Sequence, residues 1–132
     1  MPSSDIHTET KLLDAAIGSG TINAGREDAS GFNAVLVVAR GGAAASTITI
    51  RFWDAVSGGT AQEATADDLI GIGDQTVSAG TVTNSANSVT DFRIGVIPRK
   101  RYVEASFVPG TGTGALMLIG ARATNQPVED QI

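Results

Sequence analysis

The residues of this chain that could do chemistry are few and scattered. There is one histidine, His7, and no cysteine, so the imidazole and thiolate ligands of a zinc or copper site cannot be assembled. Asp67, Asp68 and Asp74 come nearest to a calcium loop, but their spacing departs from the alternating oxygens such a loop places around one ion. Serines are plentiful, yet a Ser–His pair would need His7 folded back with a carboxylate behind it. Gly-x-Ser-x-Gly is absent, and GSG at 18–20 is no nucleophile elbow. Asp67, Asp68, Asp91 and Glu104 could supply paired carboxylates, but nothing in the sequence encloses a pocket that would set their pKa values apart. GTGTG at 110–114 runs into an apolar β segment rather than a helix, so it reads as a hairpin loop and not a phosphate cradle. No catalytic residue, metal or cofactor is expected.

What remains is a cluster of charge. Arg99, Lys100 and Arg101 follow one another in RIGVIPRKRYVEASF (93–107), at a bend between two runs that read as strands, with Tyr102 beside them. Three cations at one turn suit a solvated strand bend, an electrostatic contact to an acidic partner or a head-to-tail self-contact. A nucleic-acid site fits less well. The chain has 9 Lys and Arg against 14 Asp and Glu, a formal net charge of −5, and phosphate backbones are bound by clustered cations.

The elements that position these residues are strands. STITIRFWD (46–54) alternates cleanly, with Ile48, Ile50 and Phe52 on one face and Thr47, Thr49, Arg51 and Trp53 on the other, the pattern of a sheet with one covered face. Trp53 therefore lies on the outer face, either covered by a loop or serving as an interface anchor. FNAVLVVAR (32–40) reads as a strand buried on both faces or nearly so. FRIGVI (92–97), RYVEASFV (101–108) and ALMLIGARA (115–123) are further strands, the second turning Val103, Ala105 and Phe107 inward. LLDAAIGSGTIN (12–23) begins as a strand or extended lead-in, because Gly18 and Gly20 would each cost about 1 kcal/mol inside a helix. A short apolar strand is expected at Leu69–Ile72, and residues 73–91 read as a long β-like excursion or surface loop.

Seven or eight short strands, Gly-rich turns and no convincing helix make this an all-β chain, a single-domain antiparallel β-sandwich of jelly-roll or immunoglobulin-like Greek-key type. Residues 1–11 are expected to be a flexible N-terminal arm, 12–124 the sandwich and 125–132 a C-terminal tail. The length, 132 residues, suits one domain with a core of its own. No basic stretch followed by an apolar run opens the chain, and the longest apolar run, Ala34–Ala39, is far below the roughly 20 residues of a membrane-spanning helix. Neither a membrane nor a nucleic acid is expected as partner, and a chain without cysteine suits a reducing cytoplasm.

The C-terminal half carries a resemblance. ADDLIG (66–71), FRIGVIPRKRYVEASF (92–107), a Thr/Gly turn and ALMLIGARA (115–123) resemble small head proteins of tailed bacteriophages, the capsid decoration or cement proteins. The shared pattern maps onto Asp68–Gly71, Arg93–Gly95 and Lys100–Val103. That resemblance implies a β-sandwich, assembled in the host cytoplasm and sitting as a homotrimer on the capsid exterior of the virion, where it clamps the major capsid protein. The contact candidates are then Arg99, Lys100, Arg101 and Tyr102 at the bend, Trp53 on an outer face, and the arm with Ile6 and His7. The competing expectation is a glycan-binding or tail-fibre-associated module, in which Trp53 and Tyr102 would stack sugars.

Overall fold

In this computed structural model, which describes residues 5–41, 46–72, 75–83, 91–109 and 112–126, two antiparallel sheets pack face to face. The strands are β1 (Asp5–Ser19), β2 (Ile22–Asp28), β3 (Ala34–Arg40), β4 (Thr47–Trp53), β5 (Gln62–Glu63), β6 (Leu69–Ile70), β7 (Val77–Ser78), β8 (Thr81–Thr83), β9 (Asp91–Val96), β10 (Tyr102–Val108) and β11 (Thr113–Gln126). Sheet A runs β1-β11-β3-β9-β6, and sheet B runs β2-β10-β4-β8-β7 with β5 added beside β4. A 3-10 turn, Ala66–Asp68, precedes β6.

Alternation fixes which side of each sheet is covered. Ile48, Ile50 and Phe52 of β4 and Val103, Ala105 and Phe107 of β10 are fully buried, as their period demands. They meet Val35, Val37 and Ala39 of β3, Ile94 and Val96 of β9, and Leu116 and Leu118 of β11 in one core. At roughly 25 cal/mol per Å² of apolar surface removed from water, this interleaved layer is the main force closing the sandwich.

Several expectations are corrected. Among the described residues there are eleven strands rather than seven or eight: the strand expected at Leu69–Ile72 is present as β6, but β5 and β7 are two-residue pairings too short to show a period, and β2 and β8 were not read as separate strands. β1 and β11 are not short: they pair from Asp5↔Gln126 to Ser19↔Thr113, with one register shift between Leu12 and Asp14. Residues 5–11 are thus paired strand and not a flexible arm, and Asn125 and Gln126 belong to β11 rather than to a tail. The physical reason is that β3 pairs β11 only over Ala115–Ala121. Beyond that point β1 and β11 continue as a two-stranded ribbon, which has no core to cover and needs no apolar alternation.

Strand β2 was invisible in sequence because INAGRED carries three consecutive charged residues and a glycine. Gly25 has φ +81, a left-handed conformation that suits the register shift in its pairing with β10. The hairpin expected at 110–114 is also different in kind. β9 lies in sheet A and β10 in sheet B, and β11 returns to sheet A. Both the Pro98–Arg101 bend and the connection from β10 to β11 therefore cross between layers.

Candidate functional site

The bend binds its own chain. Each of its cations meets a carboxylate from a different segment: Arg99 with Asp68, Lys100 Nζ with Asp54 Oδ2 at 3.0 Å, and Arg101 with Asp28 Oδ2 at 3.0 and 3.3 Å. Asp68 is the hub. It is 2% exposed, and it accepts hydrogen bonds from the Thr65 backbone N–H (2.9 Å), the Thr65 hydroxyl (3.2 Å) and the Arg99 guanidinium. Its backbone carbonyl accepts from Ile97 N–H at 2.8 Å. Burial pushes the Asp68 carboxyl up, but Thr65 and Arg99 together outweigh it and hold the group below its ordinary value. Asp28 is held far below the carboxylate range by hydrogen bonds from Arg101 and then Ser30.

The motif pieces behind the resemblance are gathered here. β6 pairs β9 with Leu69 opposite Val96 and Ile70 opposite Gly95, and a Cβ on Gly95 would lie 3.3 Å from that of Ile70. Asp-Leu-Ile-Gly and Arg-Ile-Gly thus form one closely packed corner, locked by Asp68 and Arg99.

Trp53 is also enclosed. The Arg26 guanidinium lies 3.3 Å from the centre of its ring and donates to the carbonyls of Ala55 (3.0 Å) and Gly58 (2.8 Å). The indole Nε1–H donates to Glu104 Oε1 at 3.2 Å. Tyr102 stands directly opposite Trp53, with Arg101 5.3 Å from its ring. Around them the outer face of sheet B is a ladder of matched polar groups. Arg26, Glu104, Arg51 and Glu63 face one another in register across β2, β10, β4 and β5, and the Thr49 and Thr81 hydroxyls meet at 2.8 Å. Ile6 and His7 pair with Asn125 and Thr124 through the backbone, and their side chains lie outside the described residues.

The surface that sequence reasoning missed is the outer face of sheet A. Directly opposed residues share a face, so one row crosses Leu12, Ile119, Leu36, Gly95 and Ile70, and the next Ala15, Met117, Val38 and Arg93. Leu12 is 56% exposed, Ile17 79% and Ile70 58%. Shallow depressions lie between Leu36, Val38, Arg93 and Met117, and between Ala15, Ile17, Val38 and Ala115. The signal was present in the runs AVLVVA and ALMLI. A strand apolar on both faces, placed in a fold of only two layers, must show one of those faces to the outside; β3 in fact alternates between buried and open positions.

Comparison with known proteins finds no matching family model, curated protein or solved structure. Chemically, the arrangement offers adhesion. One sheet presents apolar side chains and an exposed guanidinium, while the other meets its polar needs within the chain.

Proposed function

We propose that this chain is a non-catalytic adhesive protein that docks through the outer face of sheet A, and that its partner is the major capsid protein on the outside of a tailed-phage head. The carrying observation is the apolar surface formed by Leu12, Ile17, Leu36, Val38, Ile70, Met117 and Ile119. With strands about 4.8 Å apart and seven residues of β11 along its height, this face measures roughly 500 Å², the size at which an apolar patch commonly marks an interaction site. Arg93 on the face favours an apolar partner surface that brings a carboxylate within its reach, while the net charge of −5 favours a partner whose wider surface is neutral or positive. The partner's identity comes from the resemblance of 66–71, 92–107 and 115–123. The closed Arg26–Trp53 stack weighs against sugar stacking, so the glycan reading is not carried forward.

The test is add-back to capsids stripped of this protein. The chain should co-sediment with the particles and raise their melting temperature, since a ligand that binds only the intact shell stabilises it. Capsids that melt identically with and without saturating chain would end the proposal.

A further inference from the structure

The open edge of β1 carries the next step. β1 has 15 residues, about 50 Å of strand at ~3.4 Å per residue, and among the described residues it is the terminal strand of sheet A, with β11 as its only ladder neighbour. Unpaired edges of this length recruit other strands unless they are blunted. Two features of β1 suit it to a copy of itself.

The first is charge. Lys11 pairs opposite Gly120 and Asp14 opposite Leu118, both buried positions, because the register shift between Leu12 and Asp14 resets the alternation. Three residues apart, these side chains would ordinarily face opposite ways; the bulge sets both on the core side of the sheet edge. Asp14 also meets Glu27 of β2. Burial, the hydrogen bond that a protonated Glu27 donates to Asp14, and the charge of Asp14 all push the Glu27 carboxyl up, and among the described residues no cation forms an ion pair with either acid. Lys11 is exposed and pairs with no acid there.

The second is the apolar face. Leu12, Ala15 and Ile17 carry it to the last strand of the sheet, so a copy added at that edge extends the ladder and sets a second apolar face beside the first.

We infer that two copies of this chain join β1 to β1, antiparallel, about a two-fold axis between Leu12 and Leu13. Lys11 of each copy then lies opposite Asp14 of the other and supplies the cation that the Asp14–Glu27 pair lacks. The two sheets merge into one of ten strands, and both apolar faces look the same way. The platform doubles to about 1,000 Å², approaching the area of a specific interface. The inference deepens the docking reading by giving it a larger surface, but it stands on β1 alone.

The experiment is sedimentation equilibrium on the full chain, with hydrogen exchange along 9–19. A dimer is expected, with slow exchange at the β1 amides that point away from β11. Lys11→Asp should weaken dimerisation at least about tenfold, and Lys11→Asp with Asp14→Lys should restore it to within about threefold; circular dichroism shows whether each variant is folded. A monomer at high micromolar concentration, a trimer indifferent to Lys11→Asp, or fast exchange at those amides in the wild-type chain overturns the pairing. A monomer that still binds stripped capsids sinks only the pairing, and a dimer that ignores them sinks only the docking.

Discussion

The two outer faces of this sandwich were built by opposite rules. Sheet B turns threonines, Glu104, Arg51 and Trp53 outward, and their groups find partners in the same chain: the Thr49–Thr81 hydroxyl pair, the Trp53–Glu104 hydrogen bond and the Arg26 cap over the indole. Sheet A turns out Leu12, Ile17, Leu36, Met117 and Ile119, whose only satisfaction is removal from water. A polar face that closes on itself adds stability and offers a partner little. An open apolar face stores binding energy that folding leaves unused. That difference is the ground for proposing sheet A, rather than the face that carries Trp53, as the docking surface.

The sharpest way to break this comparison is to place a charge at the centre of sheet A's face. Leu36 lies between Ile119 and Gly95 across neighbouring strands and is partly open. Leu36→Glu should lower affinity for stripped capsids at least about 100-fold, since a desolvated carboxylate at an interface centre costs several kcal/mol. The melting temperature should move by only a few degrees, because the substituted position is outside the core. Equal binding by wild type and variant would show that sheet A is not the docking face.

The corner that joins the two sheets ranks next. Asp68→Ala removes the acceptor of three hydrogen bonds at a buried position and leaves Arg99 without its carboxylate. A loss of about 2–3 kcal/mol is expected, read by denaturant unfolding, at the low end for a broken buried pair because Arg99 is half exposed. In the wild type the same group sets the acid limit. Asp68 and Asp28 are both depressed, so their contribution is complete above the unfolded value near ~3.9 and is lost as pH falls through their folded values. Thermal stability should be level across pH 5–6 and fall steeply below about pH 4, and this fall should be shallower in Asp68→Ala.

On sheet B, Trp53→Ala should cost about 1–2 kcal/mol of stability through the lost Arg26 stack and outer-face packing. It should leave capsid binding within about twofold. A binding defect larger than that of Leu36→Glu would reverse the assignment of the two faces and restore Trp53 as an interface anchor.

Much of this architecture was legible in the sequence, and the failures are instructive. TITIRFW and YVEASFV announced their inward sets because one face of each is apolar and the other polar. β2 was missed because an edge strand of charged residues has no apolar period. The β1–β11 ribbon was missed because the sequence at 5–9 and 122–126 carries no apolar period. The basic bend drew attention as a run of charge, but Asp28, Asp54 and Asp68, which neutralise it, lie 31 to 73 residues away in sequence. Conversely, the apolar run of β3 was read as buried on both faces or nearly so, when the layer count of the fold should have marked one side as exposed.

The smallest effect probes the edge where the two faces meet. Glu27 is raised by burial and by Asp14, so the folded chain holds that proton more tightly than the unfolded one does. Its contribution is therefore fully present below the unfolded value near ~4.3 and is lost as pH rises through the folded value. Glu27→Gln should accordingly raise the melting temperature by about 1–3 °C at pH 7 and by nothing at pH 4. If a second copy's Lys11 stands opposite Asp14, that gain should be largest in dilute solution, where the acids face each other alone, and should shrink as protein concentration drives pairing. A gain independent of concentration would mean that no outside cation reaches the pair, and β1 would then be an edge protected by its bulge rather than one waiting for its own copy.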